Sequence, residues 1–193
     1  MKIPFARIIS IVSIPLIVLS LFFGVFQMQK ARETVSLPDY GAAPKFILTD
    51  QSNKPFASEA LAGKPWLASF MFTRCPDTCP LMSLKLGKLA KQIQNINYVS
   101  FTSDPDFDKP EILDEFVKRG VGPKDWIFLT GEKEELKKIA AAFMLSAPDN
   151  PGLHSSRFIL IDRNGRIRGF YDSQSKEQMD ALLIDVRGLL SLN

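Results

Sequence analysis

The sequence predicts an α/β fold, a sheet layered between helices in three layers, behind a single N-terminal transmembrane helix. Three observations predict it. Strand-like and helix-like runs alternate from residue 46 onward. Trp66 to Thr73 (WLASFMFT) is a continuous apolar run of strand length, as expected of a strand covered on both faces. Ile8 to Phe26 contains no charged residue.

That last run sets the N-terminus apart. Its residues, at 1.5 Å rise each, span about 28 Å, close to the hydrocarbon thickness of a bilayer. A cleaved signal peptide is the alternative. Its apolar stretch is about 7–15 residues and ends at small residues. Here the run is longer and ends in Leu21, Phe22, Phe23, Val25 and Phe26. Residues 1–27 are therefore expected to be an uncleaved membrane anchor. Pro15 within it is tolerated better in a bilayer helix than in a soluble one. Lys2, Arg7 and the α-amino group precede the span, while Lys30 and Arg32 follow it together with Glu33. The positive-inside rule, and the shortness of the leading tail, keep the N-terminus cytoplasmic and export the rest. The expected location is the inner membrane, single-pass, with the C-terminal domain in the periplasm or an equivalent compartment.

Residues 28–43 (MQKARETVSLPDYGAA) have no apolar periodicity and carry Pro38 and Gly41; they are expected to be a tether. Residues 44–193 form the domain. Phe46 to Thr49 is a short strand ended by Asp50, Ser52 and Asn53. After the Trp66 run, residues 80–94 are a helix. Leu81, Leu84, Lys88 and Gln92 fall on one of its faces; Leu86, Leu89 and Ile93 lie on an adjacent one. Asn97 to Thr102 is a strand. Pro110 to Arg119 is a helix, with proline in its first turn and Gly120 at its end. Trp126 to Thr130 is a strand, and Lys133 to Phe143 a helix with Leu136, Ile139, Ala140 and Phe143 inward. Arg157 to Asp162 and Arg166 to Tyr171 flank Asn164-Gly165, a hairpin signal. Lys176 to Leu190 closes the chain as a helix. From Trp66 the order is β-α-β-α-β-α-β-β-α. A buried strand running into a Cys-containing turn at a helix start, and a late hairpin before a terminal helix, select the thioredoxin-like version.

Composition bounds the function. The chain has 193 residues, 46% of them hydrophobic, and a net charge of +3. A domain of roughly 150 residues buries about 70% of its unfolded surface and needs no disulfide scaffold, which leaves both cysteines free for function. Lysines and arginines are scattered among acids, without a basic stripe, so nucleic acid is not an expected partner.

The chain has two cysteines and one histidine. The cysteines lie in Thr73-Arg74-Cys75-Pro76-Asp77-Thr78-Cys79-Pro80. Pro80 disfavours helical geometry at Cys79, so Cys79 is expected to cap a helix beginning at Pro80, with Cys75 to Thr78 as a loop. Both sulfurs then sit at a helix N-terminus, where the dipole and free N–H groups favour thiolate. In an oxidising compartment such a pair is either a disulfide or a ligand set. His154 lies in the loop before the strand Arg157 to Asp162. In a thioredoxin-like sheet that loop lies beside the Cys turn. Two thiolates and one imidazole suit copper, Cu(I) included. Structural zinc takes four protein ligands, one more than this set offers.

These motifs together resemble the Sco/SenC family. The resemblance rests on TRCPDTCP after a buried strand and on Ser103-Asp104-Pro105-Asp106-Phe107-Asp108 after the next one. It rests also on His154-Ser155 before a strand ending in Ile161-Asp162-Arg163-Asn164-Gly165. It covers about residues 38–190, and the anchor is in keeping with it. It implies copper binding by Cys75, Cys79 and His154, and delivery to the dinuclear copper centre of cytochrome c oxidase during its assembly. The implied partners are the copper-receiving subunit and other copper carriers or thiol reductases. It also implies a redox role for the Cys75–Cys79 pair; the alternative to copper delivery is a thiol–disulfide oxidoreductase acting on the receiving subunit's cysteines. Two residues depart from the family pattern: Arg74, where His or Asn is frequent, and Phe107, where a charged residue is usual. Asp108 is therefore expected to be a helix N-cap and Asp104 part of a solvated turn, not metal-tuning groups.

Overall fold

The computed structural model describes residues 37–143 and 156–191. The expected anchor, residues 28–36 of the tether, and His154 lie outside the described residues. Among the described residues no helix is long and apolar enough to cross a membrane.

Seven strands form one sheet: β1 (Ile47–Asp50), β2 (Pro55–Ala57), β3 (Trp66–Met71), β4 (Asn97–Thr102), β5 (Trp126–Thr130), β6 (Arg157–Ile161) and β7 (Ile167–Asp172). Among the described residues four α-helices accompany them: α1 (Thr78–Gln92), α2 (Pro110–Lys118), α3 (Lys133–Ala142) and α4 (Lys176–Ser191). The sheet order is β2-β1-β5-β4-β3-β6-β7. Its centre is parallel: Trp66 pairs with Asn97 and Met71 with Thr102, while Tyr98 pairs with Trp126. The flanks are antiparallel, with β3 against β6 and β1 against β5.

All six residues of β3 are buried, as its apolar run requires. Its alternation sorts them between two cores. Trp66, Ala68 and Phe70 belong to the core that includes Leu136, Ile139 and Ala140 of α3, together with Phe143. Edge-to-face rings knit this core: Phe101 lies 5.1 Å from Phe46, and Phe143 lies 6.0 Å from Trp66. On the opposite face Phe116 of α2 packs on Trp126 and Phe128. Ser69, inside the apolar run, shares a 2.7 Å hydrogen bond with Ser100, which also accepts one from Trp126 Nε1. These two buried hydroxyls are thus satisfied.

The expected elements recur with shifts of one or two residues at their ends, and three findings differ. β2 was not anticipated: three residues led by proline carry no readable pattern, and the strand is defined by pairing Leu48 with Phe56. Within the expected tether, residues 37–43 are docked, not free. Tyr40 N–H donates to Ile167 O, Ile167 N–H to Gly41 O, and Ala43 N–H to Gly165 O. Arg166 Nε donates to both Asp39 oxygens at 3.0 Å, and the Tyr40 ring meets Phe170 edge-on. This segment covers the outer edge of β7, which would otherwise present unpaired backbone groups. The third difference is the start of α1.

The sheet positions the site. β3 and β4 are parallel neighbours, so the turns leaving their carboxyl ends, residues 72–77 and 103–109, lie side by side. Open α/β sheets build their sites at such ends.

Candidate metal centre

α1 begins at Thr78, with Asp77 as N-cap, and not at Pro80. Cys79 is therefore inside the first turn. Proline at the third helical position costs nothing here, because its missing N–H would have bonded Pro76, which precedes the helix. The local rule against helix before proline is overridden by packing: Cys79 is buried, 4% exposed, alongside Met82, Ser83, Leu86 and Leu89 on the inward face.

The expectation of two equivalent thiolates is corrected accordingly. The Asp77 side chain makes no capping bond. The Cys75 sulfur takes that role instead, accepting the Cys79 N–H at 3.4 Å. Partial burial of Cys75 opposes charge, but the N–H groups of Cys79, Asp77 and Thr78 and the Cys79 thiol outweigh it and hold its pKa below the usual thiol range. Burial pushes Cys79 up to about 12, and its hydrogen bond to the Cys75 sulfur adds to that. The pair is therefore asymmetric: Cys75 ionises more readily than an ordinary thiol, and Cys79 holds its proton. The two are unbridged.

Two carboxylates hold this turn from the β4–α2 side. Asp108 is fully buried (0% exposed), and α2 is capped by Lys109 without a side-chain bond, so Asp108 is not the expected N-cap. Asp108 instead accepts hydrogen bonds from Thr73 N–H at 3.1 Å, from Thr73 Oγ1 at 2.5 Å and from Thr102 Oγ1 at 2.5 Å. It ties the residue two before Cys75 to the end of β4. Asp104 is the outer tie. It accepts from Arg74 Nε at 3.1 Å and forms an ion pair with the same guanidinium. Arg74 also lies 4.1 Å from the centre of the Phe107 ring. The two residues that depart from the family pattern thus meet: Phe107 offers Arg74 a ring face in place of a charge. Sequence reasoning missed both ties because the partners are about thirty residues apart.

Among the described residues no three His, Cys, Asp or Glu side chains converge as a ligand group. What converges is the sulfur pair. Two adjacent soft donors, one of them the more readily ionised, at a positive helix end, form a fragment suited to a thiophilic ion. The third expected donor, His154, lies outside the described residues.

The family model described as SCO1/SenC matches residues 37–190. The chain is 29% identical over 158 residues to a SCO1 protein homolog of Bacillus subtilis, covering 76% of this chain and 82% of that one. Among solved structures, a SCO1/SenC family lipoprotein of Bacillus anthracis aligns with a TM-score of 0.69 and 32% identity, over 82% of this chain and 98% of that one. BsSco, a member of the Sco family of cytochrome c oxidase assembly proteins in which a disulfide switch was identified, gives 0.68 and 27%, again over 82% and 98%. Yeast Sco1 with copper bound gives 0.63 and 25%, over 76% and 89%. A family match that spans residues 37–190 shows that the chain belongs to the SCO1/SenC family.

Proposed function

We propose that this chain is a membrane-anchored copper chaperone that holds the ion between Cys75, Cys79 and His154 and passes it to the dinuclear copper centre of cytochrome c oxidase. The observation that carries the reading is the asymmetric sulfur pair at the N-terminus of α1. Cys75, the more readily ionised sulfur, is placed to capture the ion, and Cys79 follows by releasing its proton. A ligand that stays protonated until displaced also lets the ion leave, since reprotonation of Cys79 favours release. The copper-bound yeast relative and the oxidase-assembly role of the Sco family support cargo and destination. The lipoprotein relative supports attachment to a membrane on the exported side. Residues 1–27 would provide that attachment here, and the chain's partners would be the copper-receiving subunit together with copper carriers or thiol reductases that reload it.

A second reading is a thiol–disulfide oxidoreductase that reduces the acceptor's cysteines. The disulfide switch of BsSco favours it, and so does a Cys75 of lowered pKa beside a protonated Cys79, the arrangement that dithiol exchange uses. His154 separates the two. In cells carrying His154→Ala, the chaperone reading expects oxidase activity to fall and to be partly restored by added copper, because the ion loses its imidazole ligand. The oxidoreductase reading expects wild-type activity from that variant and loss only from Cys75→Ser or Cys79→Ser. Oxidase activity unchanged by His154→Ala overturns the chaperone reading.

A further inference from the structure

α1 buries Cys79, Met82, Ser83, Leu86 and Leu89, yet it leaves two large apolar side chains in solvent: Leu81 is 43% exposed and Leu84 48%. At 3.6 residues per turn, Leu81, Leu84, Lys88 and Lys91 fall within about 80° of arc and about 15 Å of length. They form one outward stripe, apolar at the end next to the cysteine turn and cationic at the far end. The helix (TCPLMSLKLGKLAKQ) contains three lysines and no acid. Beside the stripe, between α1 and α4, lies a groove of about 260 Å³. Its lining includes apolar Leu89, Met179 and Leu183 along with Lys85, Lys88 and Lys176. Lys85 is committed to the Ser173 carbonyl, and Lys176 to Asp180 at 2.8 Å. Lys88 thus borders both stripe and groove.

We propose that this stripe is the docking face for the acceptor protein, whose complementary surface is apolar where it meets Leu81 and Leu84 and carries carboxylates opposite Lys88 and Lys91. The inference rests on the chaperone reading above. Charge selects the occupant. A second copy of this chain would lay Lys88 and Lys91 against leucines or against each other: α1 has no carboxylate, the groove's Asp180 is engaged by Lys176, and burying unpaired ammonium groups is costly. An acidic partner instead neutralises them, and such complementarity steers encounter and fixes register. Two exposed leucines supply the desolvated centre that a small interface needs. Continuity with the cysteine turn means that a partner seated here has its own ligands beside Cys75, so transfer occurs without a free ion.

The test uses the full chain in detergent, copper-loaded, and the metal-free soluble domain of the oxidase's copper-receiving subunit as probe. Association is followed by calorimetry at two salt concentrations. Leu81→Ser with Leu84→Ser, and separately Lys88→Glu with Lys91→Glu, are each expected to weaken association by about ten-fold. The charge reversal should also abolish its salt dependence. Copper stoichiometry and the circular dichroism spectrum should stay those of wild type. Association unchanged in both variants overturns the docking face and leaves the chaperone reading standing. No association by wild type overturns both. Self-association of wild type lost in the leucine variant, or binding to phosphatidylglycerol vesicles lost in the lysine variant while the probe still binds, assigns the stripe to another occupant and overturns the proposal.

Discussion

Replacing Cys75 and Cys79 together by serine is expected to reduce copper binding by the reduced chain from one tight equivalent to none. Serine nearly preserves the volume at both positions, so the buried site of Cys79 is not emptied. Its hydroxyl stays protonated at neutral pH and is a hard donor, whereas Cu(I) selects soft thiolate. The single variants are not equivalent. Cys75→Ser removes the more readily ionised sulfur that caps α1, and Cys79→Ser removes the one whose proton must be displaced. Because Cys79 holds its proton to about 12, copper binding releases a proton at every working pH below that. Wild-type affinity should therefore rise with pH, by up to about ten-fold per unit for that proton. Titration against a coloured Cu(I) chelator at three pH values reads both effects. Tight binding retained by the double serine variant would remove the sulfur pair from the site.

Asp108→Ala is expected to destabilise the domain by about 1.5–3 kcal/mol, the range for hydrogen bonds to a charged group lost from a buried position. Three donors lose their acceptor: the Thr73 N–H, the Thr73 hydroxyl and the Thr102 hydroxyl. The effect should be local as well as global. Thr73 is the anchor of the strand that leads into Cys75, so amide signals of residues 75–79 should broaden or shift while those of α4 do not. Asp108→Asn keeps one acceptor oxygen and should cost less. Urea unfolding and amide spectra measure the two parts. A cost below about 0.5 kcal/mol would mean that Asp108 carries no part of the turn.

The parts of the fold legible in the sequence are those whose cause is local or periodic. Asn97–Thr102 and Trp126–Thr130 begin and end where the sequence predicts them to. Asn164-Gly165 marks the β6–β7 turn, with Gly165 at a positive φ of 73°. The parts that were hidden arise from distant partners. Residues 37–43 have no pattern of their own, and only Arg166 and the open edge of β7 order them. Asp108 stands before Lys109-Pro110 like an N-cap, yet its partners are Thr73 in the turn after β3 and Thr102 at the end of β4. For the site, the cysteine pair was legible from type and spacing. Its asymmetry was not, because it follows from which sulfur the sheet covers.

The most direct test of the central claim is X-ray absorption at the copper edge on the reduced, copper-loaded full chain. The proposed site predicts a coordination sphere of two sulfurs and one imidazole, with the imidazole signal lost in His154→Ala and the sulfurs retained. A sphere of nitrogen and oxygen donors only, or an imidazole signal untouched by His154→Ala, would contradict it.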